Sequence, residues 1–77
     1  MEDFKLWQQN FKHISHKVSM DNASRVKRAL SILGAESIVA DSLNHLETNS
    51  NFRELSVSVK SQIRRAVRLY IEYNTNA

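Results

Sequence analysis

Four basic residues near the C-terminal end of the chain are spaced to share one side of a helix. Lys60, Arg64 and Arg68 recur every four residues, and Arg65 lies beside them. At about 100° per residue this spacing forms a row along one helix face. Ammonium and guanidinium groups in such a row attract anions, and we expect them to lack acidic partners within the protein. The row therefore predicts an anion-binding surface.

The same segment, residues 56–73, also carries an apolar face that must be buried. Ser56 or Ser58 is a suitable N-cap, and the helix is predicted to end near Tyr73. A helix with one apolar face packs that face on a core. The apolar residues on that face are Val59, Ile63, Ala66, Val67, Tyr70 and Ile71.

A second basic cluster, Arg25, Lys27 and Arg28, lies on an earlier predicted helix. Ser19 or Asp21 can cap this helix, and the chain's one glycine, Gly34, suits its left-handed end. Residues 29–52 carry three acidic residues and no lysine or arginine, so two basic segments bracket an acidic one. This pattern predicts a surface with distinct charged sides rather than an even one.

The composition predicts an all-α fold. The chain has 77 residues with one glycine and no proline, whereas sheets and hairpins need such residues for their turns. We expect a single small helical domain over residues 1–77, either complete or a module of a longer protein.

The absence of cysteine agrees with a reducing compartment, and no apolar run is long enough to span a bilayer. We therefore expect a cytoplasmic protein that does not enter a membrane.

The remaining helices complete a compact bundle of four main helices with one extra short turn. The first starts at Glu2 or Asp3, and the third runs from Glu36 to Glu47. Asn51 is predicted to cap a short turn over residues 52–55. The apolar positions expected in the core are Phe4, Trp7, Phe11 and Ile14 of the first helix and Ile38, Val39, Leu43 and Leu46 of the third.

Catalytic and metal-binding motifs are missing from the sequence. It contains no cysteine nucleophile and no glycine-rich phosphate loop, and its acidic residues are scattered singly. His13 and His16 fall short of the four ligands that structural zinc requires. We expect neither an enzyme nor a cofactor, a metal or a small-molecule substrate.

The segment Ser58–Tyr70 (SVKSQIRRAVRLY) resembles the last long helix of a known DNA-binding domain. That domain is the SAM-like, core-binding N-terminal domain of tyrosine recombinases (phage integrases). The opening Phe4–Trp7 (FKLW) is similar to the domain's first helix, so the resemblance covers about residues 4–73. It implies a DNA-clamping module whose phosphate contacts are Lys60, Arg64, Arg65 and Arg68. The recombinase catalytic domain is absent, so either this is an isolated binding domain or only the helical architecture is shared.

Two functions remain open from the sequence. The first is DNA binding by phosphate contacts from both basic helices, with Gln62 or Arg65 reading base edges. The second is binding of an acidic protein or of another copy of the chain through the arginines and tyrosines of the last helix. Basic faces side by side favour DNA, whereas faces pointing in opposite directions favour a protein partner or a merely solvated surface.

Overall fold

The computed structural model describes residues 1–76 and consists of helices joined by short loops. The prediction of an all-α bundle with four longer helices and one short turn is confirmed, and residues 1–76 contain no strand. The helices are α1 (Glu2–Phe11), α2 (His16–Leu33), α3 (Ser42–Thr48), α4 (Ser50–Arg53) and α5 (Val57–Asn76).

The core lies between α2 and α5, which share the most extensive interface in the bundle. α1 packs across both of these helices, and α3 and α4 close the remaining side. None of the described helices is both long and apolar enough to cross a membrane. The buried apolar residues are Phe4, Ala23, Val26, Ala29, Ile38, Leu46, Phe52, Ile63, Ala66 and Val67.

A buried polar network fixes α1 on α2. The Gln8 side chain is fully buried, and its Nε2 donates to the backbone oxygen of Ser19 at 3.2 Å. Asn22 Nδ2 donates to Gln8 Oε1 at 2.8 Å. Among the side chains of residues 1–75, every buried nitrogen and oxygen has a hydrogen-bond partner. Directed bonds of this kind set the register of one helix on another, because misaligned buried amides would lose their partners.

An aromatic cluster joins α1 to the C-terminal half of α5. The ring of Phe4 lies 4.9 Å from that of Tyr70 and 5.5 Å from that of Tyr73, measured between centroids. Trp7 contacts Tyr73 edge-on at 5.5 Å. The tilted and edge-on arrangements are those that aromatic quadrupoles favour. Tyr70 and Tyr73 are therefore largely engaged in packing within the bundle.

The start of α2 and the end of α1 differ from the sequence prediction. Ser15, rather than Ser19 or Asp21, caps α2, because its Oγ accepts from the Val18 N–H at 3.2 Å. Helix α2 therefore begins near the point where α1 ends, and the chain reverses between them. Phe11 lies beyond the core at this reversal and is 73% exposed, so its predicted burial was wrong.

The prediction for the third helix was also wrong at its start. Residues 35–41 are not α-helical, and α3 begins only at Ser42. The Ser42 Oγ accepts from the Val39 N–H at 2.8 Å, which stabilises a turn in place of another helical turn. Ile38 is buried as expected, but Val39 is 54% exposed.

Two further boundaries are corrected and two are confirmed. Asn49, not Asn51, caps α4, since its Oδ1 accepts from the Phe52 N–H at 3.0 Å. Helix α5 continues to Asn76 rather than ending near Tyr73. Gly34 ends α2 in the left-handed conformation with φ of 63°, and Ser56 Oγ accepts from the Val59 N–H at the start of α5.

Candidate anion-binding surface

The position of each cation on α5 follows from the buried stripe of that helix. Arg65 and Arg68 each lie two positions from a fully buried residue, Val67 or Ala66. Two positions are roughly 160° around a helix, so both guanidinium groups point away from the core. Lys60 and Arg64 flank the stripe and are half-buried. The predicted row is therefore formed, with Arg65 and Arg68 exposed.

Arg64 is held by a carboxylate from a different helix. Its Nε donates to Glu47 Oε1 at 2.5 Å, and its Nη2 donates to Oε2 at 3.1 Å. The row was expected to lack acidic partners, and this expectation was wrong. Glu47 lies at the end of α3, 17 residues away in sequence, so no local spacing could reveal the pair.

The guanidinium group of Arg64 also lies over an aromatic ring. Its Cζ is 5.3 Å from the ring centroid of Phe52, a distance typical of a cation–π contact. Phe52 itself is fully buried and is fixed by the Asn49 cap of α4. Elements α3 and α4 together therefore orient a side chain of α5.

The cations of α5 shift the pKa of Glu47. The hydrogen bond from Arg64 lowers the pKa of Glu47 from its ordinary value of 4.5, and desolvation opposes the shift. The nearby charges of Lys60 and Arg68 lower the same pKa further. The hydrogen bond that Arg64 donates to Glu47 in turn raises the pKa of Arg64. All three members of the row therefore act on one carboxylate.

The ion pair between Arg64 and Glu47 should make a pH-dependent contribution to the stability of the fold. The folded-state pKa of Glu47 is depressed, so the pair stabilises the fold above the unfolded pKa. That contribution is lost as the pH falls through the folded pKa. We expect Glu47→Gln to lower the melting temperature slightly at about pH 6, since exposed pairs contribute little, and the difference should vanish toward about pH 3. Thermal denaturation followed by circular dichroism measures this, and a difference that grows on acidification would contradict it.

The cations of α2 do not extend the α5 surface. Arg28 lies two positions from the fully buried Val26, so it points away from the core that α2 shares with α5. Because the two helices pack through their buried stripes, their outward faces diverge. Arg25 is half-buried and donates from Nη1 to Asn22 Oδ1 at 3.3 Å, while Lys27 lies on the opposite flank of α2. Arg25 and Arg28 line a surface hollow with Asp21 and Ser24, to which α5 contributes no residue, so the two basic clusters lie on separate parts of the surface.

Among residues 1–76, no three histidine or acidic side chains converge to hold a metal ion.

Glu47 and Phe52 are parts of the surface that were not predicted from the sequence. Their only sequence signals were an acid at the end of a predicted helix and an apolar residue in a predicted turn. Neither signal indicates a contact with Arg64.

Comparison with known proteins does not assign a function to this surface. No protein-family model, no curated protein and no solved structure matches the chain. The resemblance to the recombinase core-binding domain therefore stays a prediction.

Proposed function

We propose that the chain is a small, non-catalytic DNA-binding module that contacts the phosphate backbone through α5. One observation supports this most. Six of the seven predicted binding cations make no ion pair within residues 1–76, whereas two of the four cations outside that set, Lys5 and Lys12, are paired with Glu2 and Glu72. Cations left in solvent gain from a polyanion, because their phosphate contacts release condensed counterions.

The divergence of the two basic faces counts against the duplex contact by both basic helices that was expected from the sequence, so the proposal is restricted to α5 as the principal contact. Lys60, Arg64 and Arg68 would meet phosphates, and the exposed Arg65 beside them is free to reach base edges. Gln62 lies two positions from both Lys60 and Arg64, roughly 160° around the helix, so it does not share their face. The α2 cations would add long-range attraction rather than direct contact. This use of α5 is the one that the recombinase resemblance implies. The lack of cysteine is consistent with a cytoplasmic location for such a module.

The test measures the affinity of the protein for a fluorescently labelled generic duplex. Fluorescence anisotropy reports binding at several salt concentrations. Arg65→Gln/Arg68→Gln removes two exposed cations without touching the core. We expect affinity at about 50 mM salt to fall about tenfold for each phosphate-binding cation removed, and the slope of log K against log salt to become shallower by about 0.9 per cation.

A matched control removes two charges elsewhere. Lys17→Gln/Arg53→Gln also takes away two exposed cations that make no ion pair within residues 1–76. This variant should weaken binding much less, because these residues lie outside α5. Equal losses of affinity in the two variants would contradict a site on α5. Absence of wild-type binding at low salt would contradict the proposal as a whole.

Binding of an acidic protein partner is a second candidate, favoured by the divergence of the basic faces. A protein contact requires only one face, whereas a broad duplex surface would use both. Tyr70 and Tyr73 pack against Phe4, so the arginines of α5 would be the main anchors for such a partner. The same two double variants, measured against an acidic polypeptide such as polyglutamate, separate this candidate from DNA binding.

A further inference from the structure

We infer that Glu47 occupies the phosphate site of Arg64 in the free domain and must be displaced when DNA binds. This inference rests on the proposed function and deepens it, because it assigns a competitor to that site. It makes Glu47 a residue that sets affinity and selectivity.

The hydrogen-bond geometry of Arg64 supports the substitution of one anion for another. Arg64 uses Nε and Nη2 on the two oxygens of Glu47, at 2.5 and 3.1 Å. Two non-bridging oxygens of a phosphodiester accept from the same edge of a guanidinium in the same forked manner. A carboxylate and a phosphate therefore compete for one pair of donors.

The guanidinium group is oriented before any ligand arrives. The Phe52 ring beneath it stays in place without Glu47, because Phe52 is anchored by its own burial and by the Asn49 cap, so the cation–π contact remains available after Glu47 leaves. A pre-oriented side chain loses less rotational freedom on binding than a free one. Release of Glu47 would thus leave a formed site rather than a mobile arginine.

The ion pair between Arg64 and Glu47 is exposed enough for a ligand anion to replace Glu47. The side chains of Arg64 and Glu47 retain 28% and 47% of their exposure, and exposed ion pairs contribute little net stability. Displacement of Glu47 is therefore feasible for a ligand that brings more than one negative charge.

The surrounding charges determine which ligands succeed. Lys60 and Arg68 lie one turn to either side of Arg64, and neither makes an ion pair within residues 1–76. A duplex can place phosphates on these two cations while it displaces Glu47 once. A single small anion binds Arg64 alone. Glu47 should therefore favour polyanions over isolated anions.

The experiment compares Glu47→Gln with Glu54→Gln in the anisotropy assay with the same duplex. Both changes remove one exposed negative charge, and Glu54 makes no ion pair within residues 1–76. We expect Glu47→Gln to bind about tenfold more tightly than wild type at about 50 mM salt, with a salt slope steeper by about 0.9. Glu54→Gln should produce a smaller increase in affinity without the change in slope.

The outcomes separate this inference from the proposed function. Wild-type binding with equal effects of the two substitutions would overturn the role of Glu47 and leave DNA binding intact. No binding by wild type or by either variant would overturn both. In an Arg64→Gln background, Glu47→Gln should no longer raise the affinity above that of Arg64→Gln alone, and an increase that persists there would show that Glu47 acts by charge alone and overturn the inference. Melting temperatures of all variants confirm that each one is folded.

Discussion

Replacing Phe52 with alanine should destabilise the domain by about 3–5 kcal/mol, the usual cost of removing a buried phenylalanine. The side chain is fully buried, and its removal leaves a cavity beneath the guanidinium group of Arg64. A domain of this length has a total stability of only about 4–12 kcal/mol. The variant should therefore lose a large share of the total stability and unfold at a much lower urea concentration than wild type. Urea denaturation followed by circular dichroism measures the change in the free energy of unfolding.

The chain contains a matched control for this substitution. Phe11 is also a phenylalanine on a helix, but it is 73% exposed. Phe11→Ala should change the free energy of unfolding by about 0.5 kcal/mol or less, as surface substitutions usually do. Similar destabilisation at both positions would show that Phe11 is buried, as its sequence spacing had predicted.

Replacing Gln8 with leucine should cost about 1–3 kcal/mol although leucine is the more apolar residue. The side chain of Gln8 accepts from Asn22 Nδ2 at 2.8 Å. Without that acceptor a buried amide donor has no partner, and its desolvation is no longer offset. The free energy of unfolding of the variant, again from urea denaturation, gives the cost.

A double-mutant cycle tests whether the cost comes from the network. Asn22→Leu removes the donor that Gln8→Leu leaves unpaired, so the double variant should be more stable than the sum of the two single effects predicts. We expect a coupling free energy of about 0.5–3 kcal/mol. Additive effects would indicate that the cost arises from packing volume rather than from the hydrogen bond.

Local sequence signals were sufficient for much of the fold. Gly34 ends α2 and Ser56 caps α5, as their residue types predict. The apolar period of α5 predicted the burial of Ile63 and Val67. These features depend only on neighbours within about one helical turn, which is the range over which periodicity and capping carry information.

Competition between equally suitable local signals explains the errors. Ser15 and Ser19 are both good N-caps, but the structure places Ser19 inside α2, where its backbone oxygen accepts from Gln8 Nε2 of α1. Asn49 and Asn51 are equivalent in the same way, and the burial of Phe52 selects Asn49. Tertiary contacts decided both cases, and the sequence pattern does not contain them.

The same distinction between local sequence signals and tertiary contacts applies to the candidate site. The row of cations follows from spacing on one helix, so it could be predicted. The bond between Arg64 and Glu47 joins residues 17 positions apart on different helices, so it could not. The separation of the α2 and α5 cations likewise depends on how two helices pack, which spacing within either helix does not determine.

For the proposed DNA contact, the dimensions of the domain would set its footprint on a duplex. The row from Lys60 to Arg68 rises roughly 12 Å at 1.5 Å per residue, which matches three to four phosphates along one strand. The bundle itself is 35 Å in its longest dimension, close to the roughly 34 Å of one turn of B-form DNA. Each copy would thus cover about one turn while touching only a few phosphates. Occupancy of long DNA would then be limited by the space between neighbouring copies before it was limited by charge.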